Sequence, residues 1–211
     1  MKTKIGTILL LSCVSMVTMP TQSRSEEAQY REGIFQVSLP QTWTRMPGPM
    51  LDEMRKTMIT GGKELATASR SADPNDMNQA TIPFVSGFQL QDGSKRILLP
   101  LLGVASPIVM DREEMFKTNS ERVKWGTDTG RLKKTSKGVS RLTIDGVPCL
   151  LMDIETDAGG RMQMYSFFLA DYPKMTYSLQ VICDDVGICN KHDAELTSIV
   201  KSIKVLRKAK N

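Results

Sequence analysis

The chain has 211 residues, of which 40% are hydrophobic and 24% charged, and its net charge is +5. These values are typical of a globular domain with a hydrophobic core, and they exclude a collagen, a coiled coil or a largely disordered chain. The chain contains one histidine. It therefore cannot form a metal site from two histidines, and it is a poor candidate for the triad hydrolases, which need a base that titrates near neutrality.

The positive charge lies at the two ends of the chain. Residues 1–23 contribute two lysines and no acidic residue, and residues 204–211 contribute four basic side chains. The intervening residues therefore have a net charge of −1. A nucleic-acid-binding domain is expected to carry its basic excess on a face of the folded part. The charge distribution argues against a nucleic-acid partner.

The first residues have the pattern of an export signal. Two lysines precede the apolar run 5–11, and no acidic residue occurs before Glu26. Leu10-Leu11-Ser12-Cys13 resembles the bacterial lipobox, in which the cysteine becomes the lipidated first residue. The alternative is a conventional signal over residues 1–23. Both predict a periplasmic or extracellular protein whose membrane tether, if it has one, is the N-terminus.

The folded domain is predicted to start after a polar, mobile leader at residues 24–30. Residues 33–40 alternate apolar and polar side chains, which predicts a half-buried strand that ends at Pro40. Trp43 follows at once and is expected to fold back onto the core. The apolar positions of this strand are Phe35, Val37 and Leu39.

A first helix is predicted over residues 49–58, with Gly61-Gly62 as its stop. We interpret its apolar stripe as core filling rather than a methionine metal site. The stripe consists of Met50, Leu51, Met54 and Met58. Residues 63–82 are rich in small and polar residues, which predicts a helix end and an irregular loop.

A hairpin and a second helix are predicted next. Residues 84–90 and 95–102 have the composition of two strands, and Asp92-Gly93 between them is a typical turn signal. Asp111 is a candidate N-cap, with acidic residues in the first helical turn. This helix is predicted to end near Lys124 or Trp125, just before Gly126.

Four strands at 139–144, 147–156, 161–169 and 175–183 are predicted to form an antiparallel meander. The candidates for its buried face are Met164, Phe168, Tyr177, Leu179 and Val181. Asn190 is predicted to cap a closing helix with one apolar stripe. That stripe consists of Leu196, Ile199, Val200 and Ile203.

Three cysteines follow the export signal. Cys183 and Cys189 bracket a short polar segment with a glycine, and disulfides persist in oxidising compartments, so we predict a disulfide between them. Cys149 then remains as a free thiol in an apolar run. The alternative is a zinc site of Cys183, Cys189, His192 and Cys149, although its C-x5-C-x2-H spacing is looser than the usual zinc patterns. A catalytic Cys149 lacks a second histidine to activate it.

Two groups of acidic residues are further candidates for cation binding or paired carboxylate chemistry. They are the pair Asp184-Asp185 and the alternating series Asp153, Glu155 and Asp157. We interpret the series as a solvated strand face.

The basic pair Lys133-Lys134 and the basic tail 207–211 are interpreted as solvated charge rather than headgroup contacts. The sequence has no phosphate-binding loop, serine-hydrolase elbow or zinc-protease motif. We therefore predict no catalytic site, no metal and no cofactor.

Three groups of residues resemble the PsbP/Mog-like fold and, within it, the DcrB-like and LpqN-like exported proteins. They are the strand 33–40 with Trp43, the hairpin at 144–148, and the closing helix pattern at 196–203. The resemblance covers residues 31–206 as a single domain. It implies an α+β fold with an antiparallel sheet flanked by helices in an α/β/α sandwich, and a non-enzymatic role in many members. It does not supply the function of this chain, because the fold serves several unrelated roles.

The leading functional hypothesis is an exported, monomeric accessory protein that presents a sheet face or residues 61–82 to a protein partner in the cell envelope. The alternative is a carrier that holds a small molecule or lipid in a pocket between sheet and helices, lined by methionines and leucines. A secretion chaperone of the DcrB-like family is disfavoured by the export signal, because such chaperones work in the cytoplasm. An enzyme is the class with least support.

Overall fold

The computed structural model describes residues 27–69, 81–105, 111–171 and 174–206, which form ten strands and four α-helices. The strands are β1 (Glu27–Glu32), β2 (Phe35–Pro40), β3 (Thr44–Arg45), β4 (Thr81–Asp92), β5 (Lys95–Ala105), β6 (Leu132–Ile144), β7 (Val147–Thr156), β8 (Arg161–Phe168), β9 (Met175–Cys183) and β10 (Lys204–Val205). The helices are α1 (Gly48–Ser69), α2 (Arg112–Asp128), α3 (Val186–Lys191) and α4 (Asp193–Ser202).

The strands form two antiparallel sheets. The small sheet has the order β1-β2-β10, and the large seven-stranded sheet has the order β3-β4-β5-β9-β8-β7-β6. Each strand pairs with its neighbours in the antiparallel sense. The predicted α+β class and the meander from β6 to β9 are confirmed.

One face of the large sheet buries the core against the small sheet and α4. The ring of Phe35 on β2 lies with its centroid 5.2 Å from that of Phe167 on β8 and 6.3 Å from that of Tyr177 on β9. The predicted stripe of α4 joins the same cluster, with Leu196, Ile199, Val200 and Ile203 buried. Full burial of each such side chain contributes about 1.5–3 kcal/mol.

The opposite face of the large sheet carries α1 and α2. Helix α1 packs against β4, whereas α2 packs against β6 and β7. Because β4 and β6 lie towards opposite edges of the sheet, the two helices stand apart over the central strands β9 and β8. The molecule therefore has three layers, one of which is made of two separated helices.

Tight turns hold the hairpins in register. Asp145 and Gly146 have φ angles of 50° and 71°, the left-handed values that a two-residue type I′ turn requires. The β4–β5 turn sits one residue later than predicted, because Asp92 pairs with Lys95 and leaves Gly93 and Ser94 as the turn. Gly93 has φ 62°, as a glycine at the first turn position allows.

The N-terminal segment corrects one prediction. Residues 27–30 belong to β1 rather than to a mobile leader, because β1 pairs with β2 along its whole length. Its side chains alternate between exposed and half-buried, and the Tyr30 ring lies 4.7 Å from that of Phe88, centroid to centroid. The polar composition of this segment predicted a leader rather than an edge strand.

The helix ends also differ from the predictions. Helix α1 continues through Gly61-Gly62 to Ser69, because a helical glycine costs only about 1 kcal/mol relative to alanine. Helix α2 runs past Gly126 to Asp128, and the Leu132 side chain fills the space beside that glycine. Asn190 lies inside the short α3, and His192 rather than Asn190 is the N-cap of α4.

The predicted buried face of the meander was wrong at β8. Tyr177, Leu179 and Val181 are buried in the core, but Met164 and Phe168 are half-buried on the opposite face. The core face of β8 carries Tyr165 and Phe167 instead, which pair with Leu179 and Tyr177. Apolar residues occur on both faces of β8, so alternation alone did not identify the inner one.

Candidate ligand-binding cleft

A cleft of about 780 Å³ lies between α1, α2 and the large sheet. Its floor is formed by two rows of side chains that run across β5, β9, β8 and β7. The mouth row consists of Leu98, Ile182, Met162 and Ile154. The inner row consists of Gln180, Met164 and Met152.

The next row along the strands closes this floor. All four of its side chains are buried, and we call it the buried row. It consists of Leu102, Ser178, Ser166 and Leu150. The floor is therefore closed beyond the inner row.

Helix α1 forms one wall. Met50, Met54 and Met58 lie at helical spacing, are half-buried and line the cleft with Glu53 and Thr57. The sequence interpretation of this stripe as core filling is thus corrected. The methionines face an open cleft because α1 is held over β4, at the side of the floor.

Helix α2 forms the other wall. Asn119, Arg122, Val123 and Gly126 lie on one helical face and line the cleft. Gly126 permits a close approach, because a Cβ there would lie 2.5 Å from Leu132 Cδ1.

Arg141 on β6 pairs with Leu150 of the buried row. Its guanidinium donates a hydrogen bond to Glu113, near the N-terminal end of α2. Leu132, beside Gly126, pairs with Thr156, beyond the mouth row. Helix α2 therefore runs from the closed end of the cleft to its mouth.

The charged groups of the lining are Glu53, Arg96, Arg122 and Arg131. Arg96 Nε lies 3.6 Å from Asp184 Oδ2, and the Arg131 guanidinium lies 5.0 Å from the centroid of the Trp125 ring. Burial lowers the pKa of the Arg122 guanidinium below its usual value. The floor of the cleft is thus apolar except for Gln180, and its rim is cationic.

Asp153 departs from the solvated face that the sequence suggested for the series Asp153, Glu155 and Asp157, whereas Asp157 is exposed. Asp153 is fully buried on the core side of β7. Its carboxylate accepts hydrogen bonds from Arg161 Nε at 3.1 Å and Arg161 Nη2 at 2.9 Å, and from Gln163 Nε2 at 3.1 Å. A guanidinium eight residues along the chain satisfies this carboxylate, and the arrangement is structural.

The side chains of Asp184 and Asp185 form hydrogen bonds and an ion pair within the protein. Asp184 accepts a hydrogen bond from the backbone N–H of Arg96 at 2.8 Å. Asp185 caps α3 by accepting from the N–H of Ile188 and forms an ion pair with Lys95. A hydrogen bond from Lys95 lowers the pKa of Asp185.

Cys183 and Cys189 form a disulfide in the structure, the pairing favoured by the sequence. Bonded to each other, these sulfurs are not thiolate ligands for zinc. Cys149 is a free, buried thiol, and burial raises its pKa to about 12. A catalytic thiol requires the opposite shift.

His192 joins the hairpin β4–β5 to α4. Its Nε2 lies 2.9 Å from Asp92 Oδ2 and its Nδ1 lies 3.2 Å from Glu195 Oε2. Trp43 Nε1 donates to the other oxygen of Glu195 at 2.6 Å. The hydrogen bond with Asp92, followed by that with Glu195, raises the pKa of His192.

Other predicted features lie outside the described residues. These are the export signal 1–23 with Cys13, the segment 70–80 and the basic tail 207–211. No helix within the described ranges combines the length and hydropathy needed to cross a bilayer.

The sequence matches no protein-family model and no curated protein. The structure is similar to that of LpqN from Mycobacterium tuberculosis, described as involved in cell envelope biogenesis. The similarity covers 86% of this chain and 91% of LpqN, with a TM-score of 0.48 and 10% sequence identity. At this level it carries no argument about activity, and the PsbP/Mog-like and DcrB-like resemblances stay predictions.

The helix methionines of the cleft were recognisable in the sequence as an apolar stripe, but the floor of the cleft was not. Met152, Met162 and Met164 were visible only as apolar residues within strands. The signal that pointed to them was the presence of apolar residues on both faces of β7 and β8, together with 14 methionines in the chain. A sheet that faces core on one side and water on the other alternates more cleanly.

Proposed function

We propose that the protein is an exported, non-enzymatic binding protein of the cell envelope that carries an apolar or amphipathic small molecule in the cleft between α1, α2 and the large sheet. The observation that carries this proposal is the floor of the cleft, where five of the seven side chains of the mouth row and inner row are apolar and half-buried. The volume of about 780 Å³ lies within the range of about 300–1,000 Å³ that is typical of ligand sites.

The methionines favour a carrier rather than a rigid catalytic pocket. Each methionine is unbranched and polarisable, so a surface of several methionines adapts to an apolar partner of irregular shape. Met50, Met54 and Met58 face the floor methionines across the cleft. Covering this surface is favourable by about 25 cal/mol for each Å² of apolar area removed from water.

The titratable groups of the lining also support binding without turnover. They are one glutamate and three arginines. Such groups orient and neutralise a ligand.

Export is supported by the N-terminal pattern of lysines and apolar residues and by the Cys183–Cys189 disulfide, since disulfides persist in oxidising compartments.

The competing occupant is an apolar segment of a partner protein, in line with the leading sequence hypothesis. Binding of the neutral fluorescent probe N-phenylnaphthylamine distinguishes a small-molecule carrier, which should bind the probe in the cleft, from a protein that binds only a partner segment. The double variant Met54→Gln/Met162→Gln places amides on both sides of the cleft and is expected to bind the probe about tenfold more weakly than the wild type.

Met115→Gln is the matched control, because Met115 is also half-buried on a helix but does not line the cleft. It is expected to bind the probe as the wild type does. Circular dichroism checks that all variants are folded. A wild type that fails to bind the probe, or a control that loses binding as much as the cleft variant, contradicts the carrier function.

A further inference from the structure

We propose that the occupant of the cleft is a single-chain amphiphile with an anionic head, bound with its head among Arg96, Arg122 and Arg131 and its chain along the floor. This inference rests on the proposed function and specifies the chemical class and orientation of the ligand. A carboxylate and a phosphate monoester share the required head chemistry.

The sheet register places two of the arginines at the same end of the cleft. Arg96 lies two residues before Leu98 of the mouth row, on the side away from the inner row. Arg131 directly precedes Leu132 on β6, and Leu132 pairs with Thr156 on β7. Thr156 lies two residues beyond Ile154 of the mouth row, on the side away from the inner row. Arg96 and Arg131 therefore flank the mouth from opposite sides of the floor.

The third arginine lies just inside this mouth. Arg131 N–H donates to the carbonyl of Gly126 at 2.8 Å, which fixes the C-terminal end of α2 there. Arg122 lies four residues, or about 6 Å, before Gly126 on the same helical face. The backbone of Arg122 is thus level with the mouth row, and the Arg122 side chain lines the cleft.

The charged groups that line the cleft are predominantly cationic. They are three arginines and one glutamate, Glu53 on α1. Arg96 also lies beside Asp184, and the Arg131 guanidinium lies over the Trp125 ring. Charge-assisted hydrogen bonds from guanidinium groups suit carboxylate and phosphate heads.

The opposite end of the cleft suits a chain terminus. Beyond the inner row, Leu102 and Leu150 of the buried row are 0% and 1% exposed. Arg96, in contrast, has a side chain that is 44% exposed at the mouth. A ligand with one polar and one apolar end therefore has a single favourable orientation, with its head towards water and its chain towards the closed end.

The test measures displacement of N-phenylnaphthylamine from the wild-type protein by four ligands with the same chain and different heads. They are dodecyl phosphate, dodecanoate, dodecanol and dodecyltrimethylammonium, each used below its micelle concentration. The anionic ligands are expected to displace the probe at concentrations about tenfold lower than the cationic one, with dodecanol between them. The stronger of dodecyl phosphate and dodecanoate identifies the preferred head.

The double variant Arg96→Gln/Arg131→Gln is expected to weaken displacement by the better anion about tenfold and to leave displacement by dodecanol unchanged. The single variant Arg131→Gln changes an exposed residue and keeps the contact between Arg96 and Asp184, so it can be used if the double variant does not fold. It should also weaken displacement by the better anion, but by less than tenfold. Arg112→Gln/Lys124→Gln removes two positive charges from α2 outside the cleft lining. This control is expected to match the wild type.

The outcomes separate the two proposals. Equal displacement by anionic and cationic ligands, or an equal loss in the control variant, overturns the anionic head and leaves the apolar cleft intact. Failure of the wild type to bind the probe overturns the proposed function itself.

Discussion

Asp153 shows how a single buried residue depends on its partners. Its carboxylate is fully covered and accepts from both Arg161 and Gln163, and Gln163 in turn accepts from the Tyr165 hydroxyl at 3.2 Å. Burial raises the pKa of Tyr165 to about 12. The buried polar atoms of these side chains therefore have hydrogen-bond partners within the protein.

Removal of one partner from this network is expected to be costly. Asp153→Ala leaves the Arg161 guanidinium, with a side chain only 12% exposed, without its carboxylate and should lower the free energy of unfolding by about 3–5 kcal/mol. Asp153→Ala/Arg161→Met should be less destabilised than Asp153→Ala, because it removes the unpaired charge. Urea unfolding measures both, and a double variant that is less stable than Asp153→Ala would refute this account.

Cys149 is expected to be unreactive in the native protein. Its thiol is buried and its pKa is raised to about 12, so little thiolate is present and reagents lack access. Ellman's reagent at pH 8 should label no thiol in the native chain without its signal and one thiol after denaturation. Three reactive thiols after denaturation would show that Cys183 and Cys189 are not bonded.

His192 is expected to make stability depend on pH. Its hydrogen bonds with Asp92 and Glu195 favour the protonated ring and raise its pKa above 6.5. The resulting stabilisation is complete below about pH 6.5, the value for the unfolded chain, and is lost as pH rises through the raised pKa.

The single histidine makes this prediction direct to test by proton NMR. The His192 ring should titrate above pH 6.5 in the wild type and at lower pH in Asp92→Asn, with a smaller change in Glu195→Gln. A wild-type ring that titrates at or below pH 6.5 would contradict the paired geometry.

Among the secondary-structure elements, helix α2 is stabilised at its N-terminus by a side-chain cap. Asp111 accepts a hydrogen bond from the N–H of Glu114 at 2.7 Å, as the sequence predicted. Asp111→Ala should lower the free energy of unfolding by about 1 kcal/mol. Asp128→Ala is the matched control at the other end of the helix, where an acid is unfavourable to the helix dipole, and thermal unfolding should show no loss. Equal losses would show that capping is not the cause.

Elements with strong local signals were predictable from the sequence, and their ends were not. The turns at residues 93–94 and 145–146 contain glycines with positive φ angles, so the hairpins followed from residue types. The continuation of α2 through Gly126 depends on the Leu132 side chain, and the pairing of β1 depends on an edge of β2. Such long-range contacts have no local sequence signature.

At the scale of the whole molecule, the layered α+β architecture was predictable, but the candidate site was only half visible. A pocket between sheet and helices, lined by methionines and leucines, was only the alternative hypothesis from the sequence. Its location depends on β9 pairing with β5, which brings Leu98 beside Ile182 from a distant part of the chain. This pairing and the separation of α1 from α2 create the cleft, and neither follows from periodicity.

Occupation of this cleft by an apolar chain can be observed by NMR of the protein with carbon-13 in its methionine methyl groups. On titration with dodecanoate, the methyl signals of Met54, Met152, Met162 and Met164 are expected to shift, with those of Met46 and Met115 as internal controls that stay in place. Assignment uses single Met→Leu variants. Shifts confined to the control methionines, or no shift at saturating ligand, would contradict the account.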